Sequence, residues 1–64
     1  MRINGEEFPA DGKSVEALIE ERGLKKEMVA VELNERILPR EEYGTCIPLE
    51  DDVIEIVQFM GGGR

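Results

Sequence analysis

Hydrophobic and polar positions change period several times along this chain, and each change marks an element. Ile3 is followed directly by Asn4-Gly5, two residues that both accept positive φ and so form a two-residue hairpin turn. Met1-Arg2-Ile3 reads as a first strand and Glu6-Glu7-Phe8-Pro9 as its return. Ile3 and Phe8 are the expected core residues of this hairpin, and Pro9 ends the pairing. Asp11-Gly12 is a second turn. A helical period follows: Val15, Leu18 and Ile19 fall at i, i+3, i+4, while Glu16, Glu20 and Glu21 take the opposite side. Ser14 stands where an N-cap hydroxyl belongs, and Gly23 suits the left-handed position that ends a helix. The spacing predicts one short amphipathic helix over 15–22, with Leu24 packing back after it.

From Met28 the period is two. Val29, Val31 and Leu33 share one face, Ala30 and Glu32 the other. Asn34-Glu35 turns the chain into a short segment, Arg36-Ile37-Leu38, which Pro39 stops. Residues 40–50 read as loop, with one helical turn over 41–44, and Pro48 excludes a central strand there. Asp51-Asp52 is a turn, and Val53 to Phe59 is a final strand. Its alternation sends Ile54 and Ile56 into the core and Val57 and Phe59 to the other face of the sheet.

The order is hairpin, helix, strand, short strand, final strand. With the first and last strands side by side in the middle, this predicts an α+β β-grasp (ubiquitin-like) fold. It is a mixed sheet of four to five strands with one main helix on one face. The domain is expected to span 1–59, with 60–64 as a flexible glycine tail.

Composition narrows the function. A chain of 64 residues supports one small core and hardly an enclosed catalytic pocket. That points to a carrier, modifier or binding module and away from an enzyme. Fifteen Asp and Glu against eight Lys and Arg give a net charge of −7, and the cations are scattered except for Lys25-Lys26. Nucleic acid, which needs a basic patch, is excluded as a partner. An acidic surface suits a partner with a basic face. The single cysteine forms no internal disulfide, and no apolar run approaches the roughly 20 residues needed to cross a bilayer. These features predict a cytoplasmic protein without a membrane partner. Cys46 lacks a neighbouring His and reads as a half-buried structural residue, Tyr43 as packing, and the Asp51-Asp52 carboxylates as a solvated turn. There is no Gly-rich phosphate loop of the Walker type.

Three stretches carry a specific likeness: Val29-Ala30-Val31-Glu32-Leu33-Asn34, Ile37-Leu38-Pro39-Arg40-Glu41-Glu42-Tyr43, and Asp52 through Phe59 into Met60-Gly61-Gly62-Gly63. With the opening Ile3-Asn4-Gly5-Glu6, they resemble the ThiS family, the small sulfur carriers of thiamine thiazole synthesis. The resemblance implies that an E1-like enzyme, using its own ATP and Mg, adenylates the C-terminal glycine carboxylate. The glycine is then converted to a thiocarboxylate that passes sulfur to thiazole synthase. The carrier itself needs no cofactor and no metal. Carried over, Gly63 is the reacting residue, supported by Gly62 and by Gly61 in the flexible tail. Val57, Phe59 and Met60 are candidates for partner docking.

One departure stands out. Family members usually finish on glycine, whereas Arg64 follows Gly63 here and locks its carboxylate in a peptide bond. Arg64 is removed by a peptidase, or is foreign to the natural chain, or marks a non-standard member; the reading adopted is removal. Related readings stay open: a carrier for molybdopterin, whose small synthase subunit is typically longer, or for cysteine or homocysteine, where residues beyond the glycines occur. A ubiquitin-like modifier and a plain binding module with an inert tail are the other classes.

Overall fold

The computed structural model describes residues 1–59. Within them the chain forms β1 (Arg2–Ile3), β2 (Glu6–Glu7), α1 (Val15–Glu21), β3 (Val29–Leu33), β4 (Arg36–Ile37) and β5 (Val53–Gln58). Short 3₁₀ turns over Lys26–Met28 and Arg40–Glu42 complete the path. The sheet order is β2-β1-β5-β3-β4, with β1 parallel to β5 and every other pairing antiparallel. The expected adjacency of first and last strands therefore holds, and β5 is the central strand of a β-grasp sheet.

Local chemistry explains the boundaries. Asn4 (φ 51) and Gly5 (φ 87) both occupy the left-handed region that the hairpin turn requires. Ser14 accepts from the Ala17 N–H at 3.1 Å and starts α1. Gly23 (φ 73) ends it in a Schellman arrangement. Its N–H donates to the Glu20 carbonyl at 3.0 Å, and the Leu24 N–H donates to the Ile19 carbonyl at 3.2 Å. Asn34 (φ 53) and Glu35 (φ 70) repeat the positive-φ pair between β3 and β4.

The core lies between α1 and the sheet. Ile3, Val15, Ile19, Val29, Val31 and Ile54 are almost wholly buried, joined by Tyr43, Leu38 and Ile56. This bears out the inward face assigned to Ile54 and Ile56 and the packing role of Tyr43. Phe8 packs against the core as expected but is only half-buried: it continues the hairpin past Glu7, exchanging both backbone hydrogen bonds with Met1 at 2.8 Å, and the Arg22 guanidinium lies 5.1 Å from its ring centroid. Leu33, at the end of β3, is likewise half-buried and packs against the core.

Candidate functional site

The candidate site is the end of β5 and the open face beside it. With only α1 packed against the sheet among the described residues, the other face is uncovered. Val57 is 56% exposed and Phe59 48% exposed there, in agreement with the alternation expected of the strand. Ala30 lies directly opposite Val57, and its small side chain leaves the valine uncovered. Phe59 borders a shallow open groove of about 330 Å³ whose lining includes Ala30, Ile37, Pro39, Arg40 and Glu41. Ile37, on β4, is 78% exposed and extends the apolar surface towards that edge. Sequence reading placed Ile37 in a short segment without assigning it a face. Its signal was there in the contrast with Leu38, whose burial leaves the adjacent residue pointing outward.

Across this face Glu55 stands directly opposite Glu32, and Ile37 is opposite Glu32 on the far side. A row of carboxylates thus runs beside a row of apolar side chains. No ion pair among the described residues neutralises either glutamate.

Two asparagines hold β5 in place. The Asn34 N–H donates to the Val53 carbonyl and its Oδ1 accepts from the Val53 N–H, at 2.8 and 2.9 Å. Asn4 does the corresponding work further along, with its side chain bonded to both backbone groups of Ile56. Phe59 is tied last, its N–H donating to the Met28 carbonyl at 2.8 Å. The strand is therefore anchored up to the residue before the tail.

Asp52 is more than a solvated turn. One carboxylate oxygen accepts from the Leu49 N–H at 2.8 Å and the other from Asn34 Nδ2 at 2.9 Å, joining two loops at the entry to β5. The Leu49 bond, then the Asn34 bond, hold its carboxyl below the ordinary carboxylate range. Cys46 is half-buried as expected; burial pushes its thiol up, and Asp52 and Glu42 add to the effect. The thiol form is favoured, against a nucleophilic role. Met60, Gly61, Gly62, Gly63 and Arg64 lie outside the described residues. Among the described residues no helix is long and apolar enough to cross a membrane.

The ThiS family model matches residues 1–63. The chain belongs to the ThiS family. It is 42% identical to the sulfur carrier protein ThiS of Thermus thermophilus over 62 residues, covering 95% of each chain. It is 34% identical to the sulfur carrier protein ThiS of Bacillus subtilis over 65 residues, covering 98% of each. The crystal structure of the thiamine biosynthesis protein ThiS from Geobacter metallireducens superposes with a TM-score of 0.74 at 33% identity, covering 97% of this chain and 96% of that one. A thiazole synthase of Magnetococcus marinus is 42% identical over 65 residues; this chain spans only 20% of that protein's length. In this ThiS-family chain the matched region takes in the β-grasp domain and the glycine run, and it ends on Gly63.

Proposed function

We propose that the chain carries sulfur for thiazole formation in thiamine biosynthesis, with Gly63 as the reacting residue. The observation that carries this reading is the family match through Gly63 in a chain whose central strand is followed, after Phe59-Met60, by the glycine run. The carrier is a cosubstrate and its partners do the catalysis.

Hydrolysis of the Gly63–Arg64 bond by a peptidase comes first, because only a free carboxylate can be activated. A Gly63 carboxylate oxygen then attacks the α-phosphorus of ATP on an E1-like enzyme. Pyrophosphate leaves and an acyl-adenylate forms. Sulfur at the sulfide level (HS⁻) attacks the activated carbonyl carbon, AMP departs with the C–O bonding electrons, and loss of the S–H proton leaves the glycine as a thiocarboxylate. Thiazole synthase is the proposed acceptor; the thiazole synthases that share a segment with this chain favour it over other sulfur acceptors.

Glycine suits this role because it lacks a Cβ and accepts nearly all backbone angles, so Gly61 to Gly63 can thread a narrow channel. Val57, Phe59 and Met60 are assigned to docking. An exposed apolar cluster with Ile37 close by is the kind of patch that marks a protein contact. ATP and Mg belong to the partner.

Intact-mass measurement on protein isolated from its own cells tests the reading. The expected species has lost arginine and exchanged one carboxylate oxygen for sulfur. Mature molecules that always retain Arg64 and never bear sulfur would overturn it.

A further inference from the structure

Alternate residues of β5 turn their backbone groups to opposite neighbours. The odd-numbered set faces β3. Val53 and Phe59 bond to the Asn34 and Met28 backbones at 2.8 Å each, and Glu55 and Val57 fall between them in register. The even-numbered set faces β1. The Asn4 N–H donates to the Ile54 carbonyl at 2.9 Å. Asn4 Oδ1 accepts from the Ile56 N–H at 2.8 Å, and its Nδ2 donates to the Ile56 carbonyl at 3.2 Å.

Gln58 is the next member of that set. It stands opposite Val29 in the non-hydrogen-bonded kind of pair, so its N–H and C=O point towards the β1 side. There the chain has already turned away at Asn4-Gly5, and among the described residues nothing bonds either group. The residue is exposed. The Asn4 amide thus closes the ladder at Ile56, and the first open donor–acceptor pair falls at the neck of the tail.

We propose that this opening is a pairing slot: an extended backbone segment of the adenylating enzyme lies beside β5 where β1 stops, bonding the N–H and C=O of Gln58. The inference rests on the carrier reading above and names how the partner grips the carrier. Paired backbone groups at strand spacing recognise an extended peptide whatever its side chains. The slot is also well placed to aim the tail. Gly63 is five residues on, at most about 18 Å of extended chain, so a strand gripping Gln58 sets the direction in which the glycines leave.

The test uses the carrier ending on Gly63 with the adenylating enzyme purified from the source cells, read by ATP–pyrophosphate exchange. Gln58→Ala keeps both backbone groups and is expected to leave the exchange rate unchanged. Gln58→Pro removes an N–H that no described residue bonds and is expected to lower kcat/KM about tenfold, the loss of one hydrogen bond to the partner. Should the proline variant fail to fold, an ester at the same position, introduced by peptide ligation, removes the N–H without the ring. Amide exchange gives a second readout: the Gln58 amide exchanges fast in the free carrier and becomes protected in the enzyme complex. Full activity of the N–H-deleted carrier, equal loss in Gln58→Ala, or an unprotected amide in the complex overturns the slot. Protection that rises with carrier concentration alone would assign it to a second copy and also overturns it. If the unaltered carrier supports no exchange at all, the carrier reading fails, a result distinct from failure of the slot.

Discussion

The side-chain amide of Asn4 bonds the backbone of Ile56 in both directions, 52 residues away in sequence. A residue needed for a tight turn also serves as the last rung between β1 and β5. Asn4→Ala is expected to destabilise the fold by about 1–3 kcal/mol, combining an alanine forced to positive φ with two lost hydrogen bonds. Urea unfolding monitored by circular dichroism checks this. Asn4→Gly restores the backbone freedom and should recover only the first part, which separates the two contributions.

Acid should weaken the fold partly through Asp52. Its folded-state pKa is depressed by the Leu49 N–H and Asn34 Nδ2. Such a group contributes stability that is present above the unfolded value, about 3.9, and is lost as pH falls through the lower folded value. Stability of the parent chain is expected to drop more steeply below about pH 4 than that of Asp52→Asn, so the two curves converge in acid. Parallel curves across that range would assign the acid sensitivity to other groups.

Phe59→Ala is expected to change stability by no more than about 0.5 kcal/mol, since the ring is half exposed on the open face. Binding to the adenylating enzyme should weaken by more than about 1 kcal/mol if the ring is a docking anchor. Calorimetric titration of both proteins measures the difference. Unchanged affinity would remove Phe59 from the docking surface.

Glu55 and Glu32 face each other across β5 and β3 with no neutralising ion pair among the described residues. Like charges directly opposite are unfavourable, so Glu55→Gln should stabilise the fold by about 0.2–1 kcal/mol. The gain should shrink as salt rises, because exposed charges are screened. Thermal unfolding at low and high ionic strength provides the comparison.

Gly62→Ala adds a methyl group in the segment proposed to thread the partner's channel. The melting temperature should stay unchanged while ATP–pyrophosphate exchange on a carrier ending at Gly63 falls. An alanine carrier activated as fast as the parent would show that the channel tolerates a side chain, and the threading argument for the glycine run would fail.

Much of the fold was legible because each element has a local cause. The period of Val15, Leu18 and Ile19 encodes a helical face, Ser14 and Gly23 encode its ends, and the alternation through Ile54 to Phe59 encodes which residues face out. How deeply Phe8 sits was not legible, because it depends on a distant neighbour: its backbone pairs with Met1 and its ring packs against the core, but only half-buried beside Arg22. The work of Asp52 was missed for a similar reason. A carboxylate in a turn looks solvated until the loop carrying Asn34 is brought beside it.

The amino-acid order alone determined the elements, the acidic character and the glycine end, since φ preference, apolar period and charge are properties of neighbours in sequence. Only the tertiary structure decided that β5 lies between β1 and β3, that two turn asparagines become rungs beside it, and that no described residue bonds the backbone of Gln58. Those outcomes depend on which distant segments meet, and hydrogen-bonding groups acquire partners only when the strands are laid side by side.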